Sequence, residues 1–292
     1  MSDDFRGRIL YHYTSADALL NILDTTTLWA SNALFLNDAS ELTFARDVLL
    51  SLGDERASNG GDPEVWRSAK ARVLSFLPDS GDIKLPGDYS IYVTSFSTEP
   101  DSLTMWQWYG RDGGFAIGFS VDDIEAGLEF KEPPSDTTQM LGLTTEETQK
   151  LWASNFQLHG SFRKIGYGEA QTRKGLAATV ESIFAAPECL NIGSILEDLA
   201  CFKHEAFSGE SEVRLVLRVP SCMGPVPKVR TARGHLVPYE CVRFPYRAVR
   251  RIRIGPGTYT GRSQRALEHR FATPRGEWSQ VRVSPSGIPF IA

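Results

Sequence analysis

The 292-residue chain is poor in the residues on which the commonest catalytic motifs are built. It holds 5 His and 4 Cys, and Cys189, Cys201, Cys222 and Cys241 share neither a CxxC nor a metal-ligand spacing. A disulfide framework is therefore not indicated, and the four read as reduced thiols of a cytoplasmic protein. HExxH is absent, and His204-Glu205 has no second histidine at ligand spacing. There is no GxxxxGK[ST], no GxGxxG behind a strand and no GxSxG elbow, so the common phosphate loops and one serine-nucleophile frame are missing. No apolar run approaches the roughly 20 residues that cross a bilayer, and MSDDFRGR is too polar and acidic for a secretory signal. Repeats and low-complexity tracts are also lacking.

What remains is an ordinary globular composition, 41% hydrophobic and 23% charged, with enough chain for one substantial core or two small ones. The net charge of −5 hides an asymmetry. From Lys228 to Arg282 there are 13 Lys or Arg against 3 Glu, so this stretch carries +10 and the rest −15. Either these arginines solvate outward-facing strands and pair with the acidic half, or they meet a polyanion. Arg250, Arg251 and Arg253 are the ones expected to meet a nucleic acid, with Arg251 on the face opposite the other two.

Along the chain, Ile9 to Tyr13 reads as a strand, and Thr14-x-x-Asp17 as a capping box opening a helix with Ala18, Leu19, Ile22 and Leu23 at helical spacing. A short strand (28–31) and a helix opened by Asp38-x-x-Glu41 follow. SNGGDP is a loop, and Pro63 starts another helix. YSIYVTSFS (89–97) and FAIGFS (115–120) have strand character, with a short helix over 101–109 between them. From about 131 to 205, helical patterns near 144–158, 175–186 and 192–206, interrupted by a strand near 162–169, read as a helical insertion. Strands at 212–219, 236–244, 249–254 and 279–284 and a helix around 258–271 complete the chain. Strands and helices mix without βαβ alternation, which points to an α+β fold.

Four places could carry chemistry, and each has a plain structural explanation. His12 ends a strand beside a helix N-terminus, whose free N–H groups attract anions, but a lone histidine is more often a core residue bonded to a carbonyl. Ser95 and Ser97 in SFS stand at a strand edge, where Ser97 or Asp101 is expected to cap the next helix. MWQWYG, with Trp106, Trp108 and Tyr109, is by default a helix burying its large faces. In FSGESEVRLVL, Glu210 and Glu212 are two residues apart and should face one way, although two solvated turn acids, one pairing with Arg214, would explain them as well.

Together the motifs are more specific. YHYTS with LLNIL, LWASNALFLNDASE, SFSTEPDSLTMWQWYG with GGFAIGF, FKHEAFSGESEVRL, IGP at 254–256 and SPSGIPF resemble a bacterial family known as domain-of-unknown-function family 2971. The resemblance runs across nearly the whole chain, and the name brings no activity with it. More distantly, the order of a strand-borne His, a serine-and-aromatic segment and a strand-start Glu is similar to ADP-ribosyltransferases of the His-Tyr-Glu type. That resemblance implies a single domain over 1–292, with a mixed, mainly antiparallel split sheet, helices packed around it and the helical insertion.

It implies function as well. NAD would be the substrate, with no metal, and either a macromolecular acceptor, protein or nucleic acid, would receive the ADP-ribose or NAD would simply be hydrolysed, in a toxin or phage-defence setting. His12, Tyr13, Thr14 and Ser15 would match the HxT/S element, and Ser95, Ser97 and Tyr109 the strand-then-tyrosine element, with Tyr109 or the neighbouring Trp106 stacking on nicotinamide. Glu212 would be the catalytic acid, and Glu210 its partner toward the acceptor. Cleaving the nicotinamide–ribose bond passes through an oxocarbenium-like ribose, which a carboxylate stabilises and an aromatic face complements. His12 and Glu212 are expected on one face, close enough to touch one dinucleotide; opposite sides of the molecule would end this reading. Two alternatives stand beside it. One is NAD-dependent removal of an RNA 2′-phosphate, ranked lower because Glu210-x-Glu212 would repel a phosphorylated acceptor. The other is a non-catalytic nucleotide- or nucleic-acid-binding regulatory module.

Overall fold

The computed structural model describes residues 5–36, 39–78, 89–110, 113–128, 144, 146–147, 159–220, 228–232, 234–272 and 277–289. The Asp38 end of the expected capping box, Cys222 and nearly all of the helix expected at 144–158 lie outside the described residues.

The chain opens with β1 (Ile9–Thr14), α1 (Ala16–Thr25) and β2 (Thr27–Asn32). The α1 cap is Ser15, whose hydroxyl accepts the Ala18 N–H, so the expected Thr14 cap is off by one residue. Helices α2 (Ala39–Ser58) and α3 (Pro63–Phe76) follow, the latter starting at Pro63 as expected, with Asp62 as its cap. Next come β3 (Tyr89–Ser97), α4 (Leu103–Tyr109), β4 (Phe115–Ser120) and α5 (Val121–Leu128). Ser102, rather than Ser97 or Asp101, caps α4.

The stretch read as a helical insertion carries β5 (His159–Lys164), which pairs with β8 in the main sheet, and a small parallel pair of β6 (Gly166–Tyr167) and β7 (Phe202–Lys203). Between these lie α6 (Gly168–Ala185) and α7 (Ile192–Leu199). The helix expected to run to 206 stops early, because 202–203 pair as a strand and Glu205–Glu210 form a 3-10 turn. The chain ends with β8 (Glu212–Pro220), β9 (Lys228–Ala232), β10 (His235–Arg243), β11 (Val249–Ile254), α8 (Thr260–Phe271) and β12 (Arg282–Pro285).

The architecture is mixed α and β, built on a mostly antiparallel sheet in the order β12-β11-β4-β1-β3-β2-β10-β9, with β8 and then β5 also attached through β3. The sheet forks at β3. Along one edge β3 pairs with β8 from Tyr89↔Pro220 to Ser97↔Glu212. Along the other it meets β1 at Tyr11↔Ser97 and β2 at Ser31↔Val93. Strands β1 and β2 are both antiparallel to β3, so they diverge side by side and α1 bridges them.

Alternation of side chains sorts the core into layers. Leu10, Phe96, Ile117, Phe119, Leu215 and Leu217 point to one face, where α1, α5 and α8 cover them. Ile91, Val93 and Val216 point to the other, under α2, α3, α6 and α7. On that second face, farther along the sheet, Tyr11, Tyr13 and Ala116 meet Met105 and Trp106 of α4. Arg251 and Arg253 register with Gly118 and Ala116 and share this face, so the expectation that Arg251 stands opposite both its neighbours is wrong. Residues two apart share a face, and a bulge between Val249 and Arg251 sets Arg250 aside.

Candidate functional site

The sequence-selected residues divide between the two faces of the sheet. Tyr11↔Ser97 and Ser97↔Glu212 form one row across β1, β3 and β8, so these three side chains share a face. His12, next in β1, points the other way, edge-on to Phe96 with ring centroids 5.9 Å apart. Its Nδ1–H donates to the Ser95 carbonyl at 2.9 Å, in the fork where β3 passes from β1 to β2. Burial lowers its pKa and keeps the ring neutral, the hydrogen bond opposing only in part. The expectation that His12 and Glu212 share one face is therefore overturned. The two are separated by two inter-strand spacings, about 10 Å, with the sheet between their side chains.

Glu212 sits in a dry charge cluster. Arg214 Nε reaches its Oε1 at 2.8 Å and Nη2 its Oε2 at 3.3 Å, while Lys203 Nζ lies 2.8 Å from Oε2. Lys203 also meets Glu210 Oε2 at 2.7 Å, so both acids do face one way, toward a shared ammonium. Ser211, with a left-handed φ of 46°, sets the turn between them. The two cations hold the Glu212 carboxyl down to about 2 against the opposing effect of burial. Because Lys203 and Arg214 neutralise the pair, Glu210 and Glu212 do not present the bare negative charge expected to repel a phosphorylated acceptor.

The other selected residues surround this cluster or lie apart from it. Ser97 is fully buried; its hydroxyl donates to the Glu210 carbonyl at 2.7 Å and accepts the Glu99 N–H. Tyr109 is 41% exposed, and its hydroxyl donates to Glu210 Oε1 at 3.2 Å, which links the cluster to the surface. Tyr13 and Trp106 are buried and pack edge to face, 4.6 Å between centroids. Tyr13 donates to the Glu99 carbonyl, and Trp106 Nε1 to Asp101. Asp101 also accepts from Ser286 and from the Gly287 N–H, which ties the SPSG segment to the SFSTEPD segment. Thr14 is buried, Ser15 caps α1, and Ser95 is exposed.

A second constellation was not picked out from the sequence. On β2, β10 and β9 the registers Tyr239↔Ser31, Cys241↔Trp29, Arg243↔Thr27, Tyr239↔Lys228 and Val237↔Arg230 place these side chains on one face. The helices packed on β2 and β10, α1 and α5, contribute to the core on the other face. Trp29 is 41% exposed and lies 4.7 Å from Tyr239, centroid to centroid, at 37°. Arg230 Nη2 donates to Ser31 Oγ at 2.9 Å, while its buried Nε has no hydrogen-bond partner among the described residues. Lys228 Nζ lies 3.3 Å from Cys241 Sγ, and Arg243 is exposed. The acid of these three strands, Glu240, registers with the core residue Ala30 and so points away. The signal available in the sequence was TLWASN, a strand whose alternation buries Leu28 and Ala30 and leaves Trp29 outside.

Among the cavities of the described residues, two lie elsewhere and are sizeable. One of about 400 Å³ is formed where Gly255, Pro256 and Gly257 lead into α8 beside Ala16 and Gly113. The other, about 350 Å³, is lined by Arg163, Lys164, Gln171, Asp198 and Cys201 among others. Neither includes His12, Glu210 or Glu212 in its lining.

Residues 105–215 match DUF2971, a family described as a protein of unknown function. That span runs from Met105 in α4 to Leu215 in β8, so it holds Trp106, Tyr109 and the whole Lys203–Glu210–Glu212–Arg214 cluster. His12, Ser95, Ser97 and the Trp29 face lie outside it, and the match is narrower than the near-complete resemblance read from the motifs. No curated protein and no solved structure matches the chain. No helix among the described residues is long and apolar enough to cross a membrane.

Proposed function

We propose that the chain is a nucleotide- or nucleic-acid-binding module whose contact surface is the part of the β2–β10–β9 face that carries Trp29. The observation that carries this reading is the half-exposed Trp29–Tyr239 pair, flanked on one face by Lys228, Arg230 and Arg243 with no acid from the same strands. Cations neutralise phosphates and aromatic faces stack on bases, and the two kinds of group are interleaved here. By contrast, the reading built on His12 and Glu212 gripping one dinucleotide loses its premise, because the sheet stands between them. Fluorescence anisotropy with labelled DNA and RNA, from about 50 mM salt upward, tests the proposal. Affinity should fall steeply as salt rises. Failure to bind any nucleic acid at low salt overturns it.

A second reading rests on one specific observation: Tyr109, Glu210 and Glu212, which the resemblance assigns to one reaction, meet in one hydrogen-bonded cluster. NAD consumption without His12 would use that corner. The nicotinamide–ribose bond would break, Glu212 would stabilise the oxocarbenium-like ribose, and an acceptor or water would attack C1′ and lose its proton. Lys203 or Arg214 would first have to release the carboxylate. In that case Glu212→Gln abolishes both transfer and hydrolysis, whereas Glu210→Gln impairs transfer more. Purified protein that releases no nicotinamide and labels no acceptor in lysate removes this reading.

A further inference from the structure

We infer that the β2–β10–β9 face takes single-stranded rather than duplex nucleic acid, one unpaired base stacking on Trp29 while flanking phosphates lie along Lys228, Arg230 and Arg243. This rests on the nucleic-acid-binding reading and specifies its ligand. Three features argue for the single strand.

First, an aromatic side chain faces solvent. Trp29 is 41% exposed although its strand neighbours Leu28 and Ala30 are fully buried. Tyr239 lies beside it on the adjacent strand, tilted 37°, and supports the indole from one side. A base offers a free π-face only when it is unstacked, as in a single strand or a loop; inside a duplex both faces are covered.

Second, the cations are arranged as a track. Lys228 and Arg230 are two residues apart on β9, about 7 Å along one face. Arg243 and Trp29 stand on β10 and β2, across the sheet from them. A sheet face of this width follows one backbone, whereas a duplex groove needs an inserted helix or ribbon.

Third, Arg230 is set for an anion. Ser31 Oγ fixes Nη2 at 2.9 Å, while the buried Nε donor is unsatisfied among the described residues. Burial already lowers the pKa of this guanidinium, so an anionic oxygen beside it would relieve an existing cost. Lys228 Nζ contacts a thiol sulfur rather than a carboxylate oxygen.

The test uses the full chain with labelled oligo(dT) and oligo(U) of about 12 nucleotides, and a duplex of equal length. Binding of both single strands, tighter than binding of the duplex, is expected, with quenching of tryptophan emission. Trp29→Ala should weaken single-strand binding about ten-fold or more, and Trp29→Phe should restore most of it. Arg230→Gln should lower the slope of log K against log salt by about 0.7. Tyr259→Ala, an exposed aromatic away from this face, should bind as the parent does, and circular dichroism checks that each variant folds. Duplex bound as tightly as single strands, with no effect of Trp29→Ala, overturns this inference while the broader nucleic-acid reading stands. No binding of any probe overturns both.

Discussion

His12 and Glu212 stand two strands apart in one sheet and point away from each other. The registers Tyr11↔Ser97 and Ser97↔Glu212 fix this, because a side chain one residue out of a row must emerge on the other face. Each residue then has its own task. His12 satisfies a carbonyl in the fork of the sheet, and Glu212 anchors the start of β8 to Lys203 and Arg214. Both tasks have measurable consequences.

The pH dependence of stability should show two separate losses. His12 has its pKa lowered in the fold from 6.5, so the unfolded chain binds the extra proton first. Its contribution is present above 6.5 and is lost as pH falls below that value. Glu212, held at about 2 against 4.5, contributes stability that is complete above 4.5 and is lost as pH falls toward 2. That second loss is on the order of 3 kcal/mol. Thermal denaturation across pH should show both, and His12→Gln should flatten the upper one. A variant whose curve keeps its fall below pH 6.5 would assign that loss to another group.

Removing one member of the charge cluster should cost more than its exposed counterparts suggest. Arg214 is fully buried, donates to the Ala200 carbonyl at 2.7 Å and holds Glu212. Arg214→Leu leaves a buried carboxylate with Lys203 alone and should destabilise by about 3–5 kcal/mol. Arg173, paired with Glu55 and Glu169 on the surface, should cost under about 1 kcal/mol when changed to Leu. Urea denaturation of the two variants compares them directly. Equal losses would mean that the cluster is wetter than its burial indicates.

Gly53 in α2 should not tolerate a methyl group. A Cβ there would fall far inside van der Waals contact with the Trp66 indole. That indole is buried and pinned by its Nε1–H to Asp54 at 2.7 Å, so it cannot swing away. Alanine raises helix propensity by about 1 kcal/mol, but overpacking typically costs about 1–3 kcal/mol. We expect Gly53→Ala to lower the melting temperature. An unchanged or higher value would show that α3 moves to make room.

Much of the frame could be read from local pattern. YSIYVTSFS, FAIGFS and 249–254 are strands with the bounds expected, because β-branched and aromatic alternation is a strong local signal. Segments whose structure depends on distant partners were harder. The α5 helix over VDDIEAGL is too short for its period to stand out, and β9 has little strand signal of its own because its strand character comes from pairing with β10. The Glu210–Glu212 alignment was legible, but Lys203, which joins them, was not, since it lies on a two-residue strand beyond any periodic pattern. The Trp29 face combines residues about 200 positions apart, and only the sheet order brings them together.

The arginines of the basic stretch do not all have free charge. Arg250 and Arg247 both bond Asp123, at 2.8 and 2.6 Å. Arg253 donates to the Pro285 carbonyl at 3.0 Å and lies 3.6 Å from Asp101. Neutralising Arg250, Arg251 and Arg253 together should therefore loosen β11 and β12 while changing the salt dependence of nucleic-acid binding little. Neutralising Lys228, Arg230 and Arg243 should instead lower that slope by about 2, since each phosphate contact with a single strand contributes about 0.7. Parallel salt titrations of the two triple variants, with folding checked by circular dichroism, separate the sets. If the β11 set flattens the slope as much as the β9–β10 set, the contact surface lies over β11 rather than over Trp29.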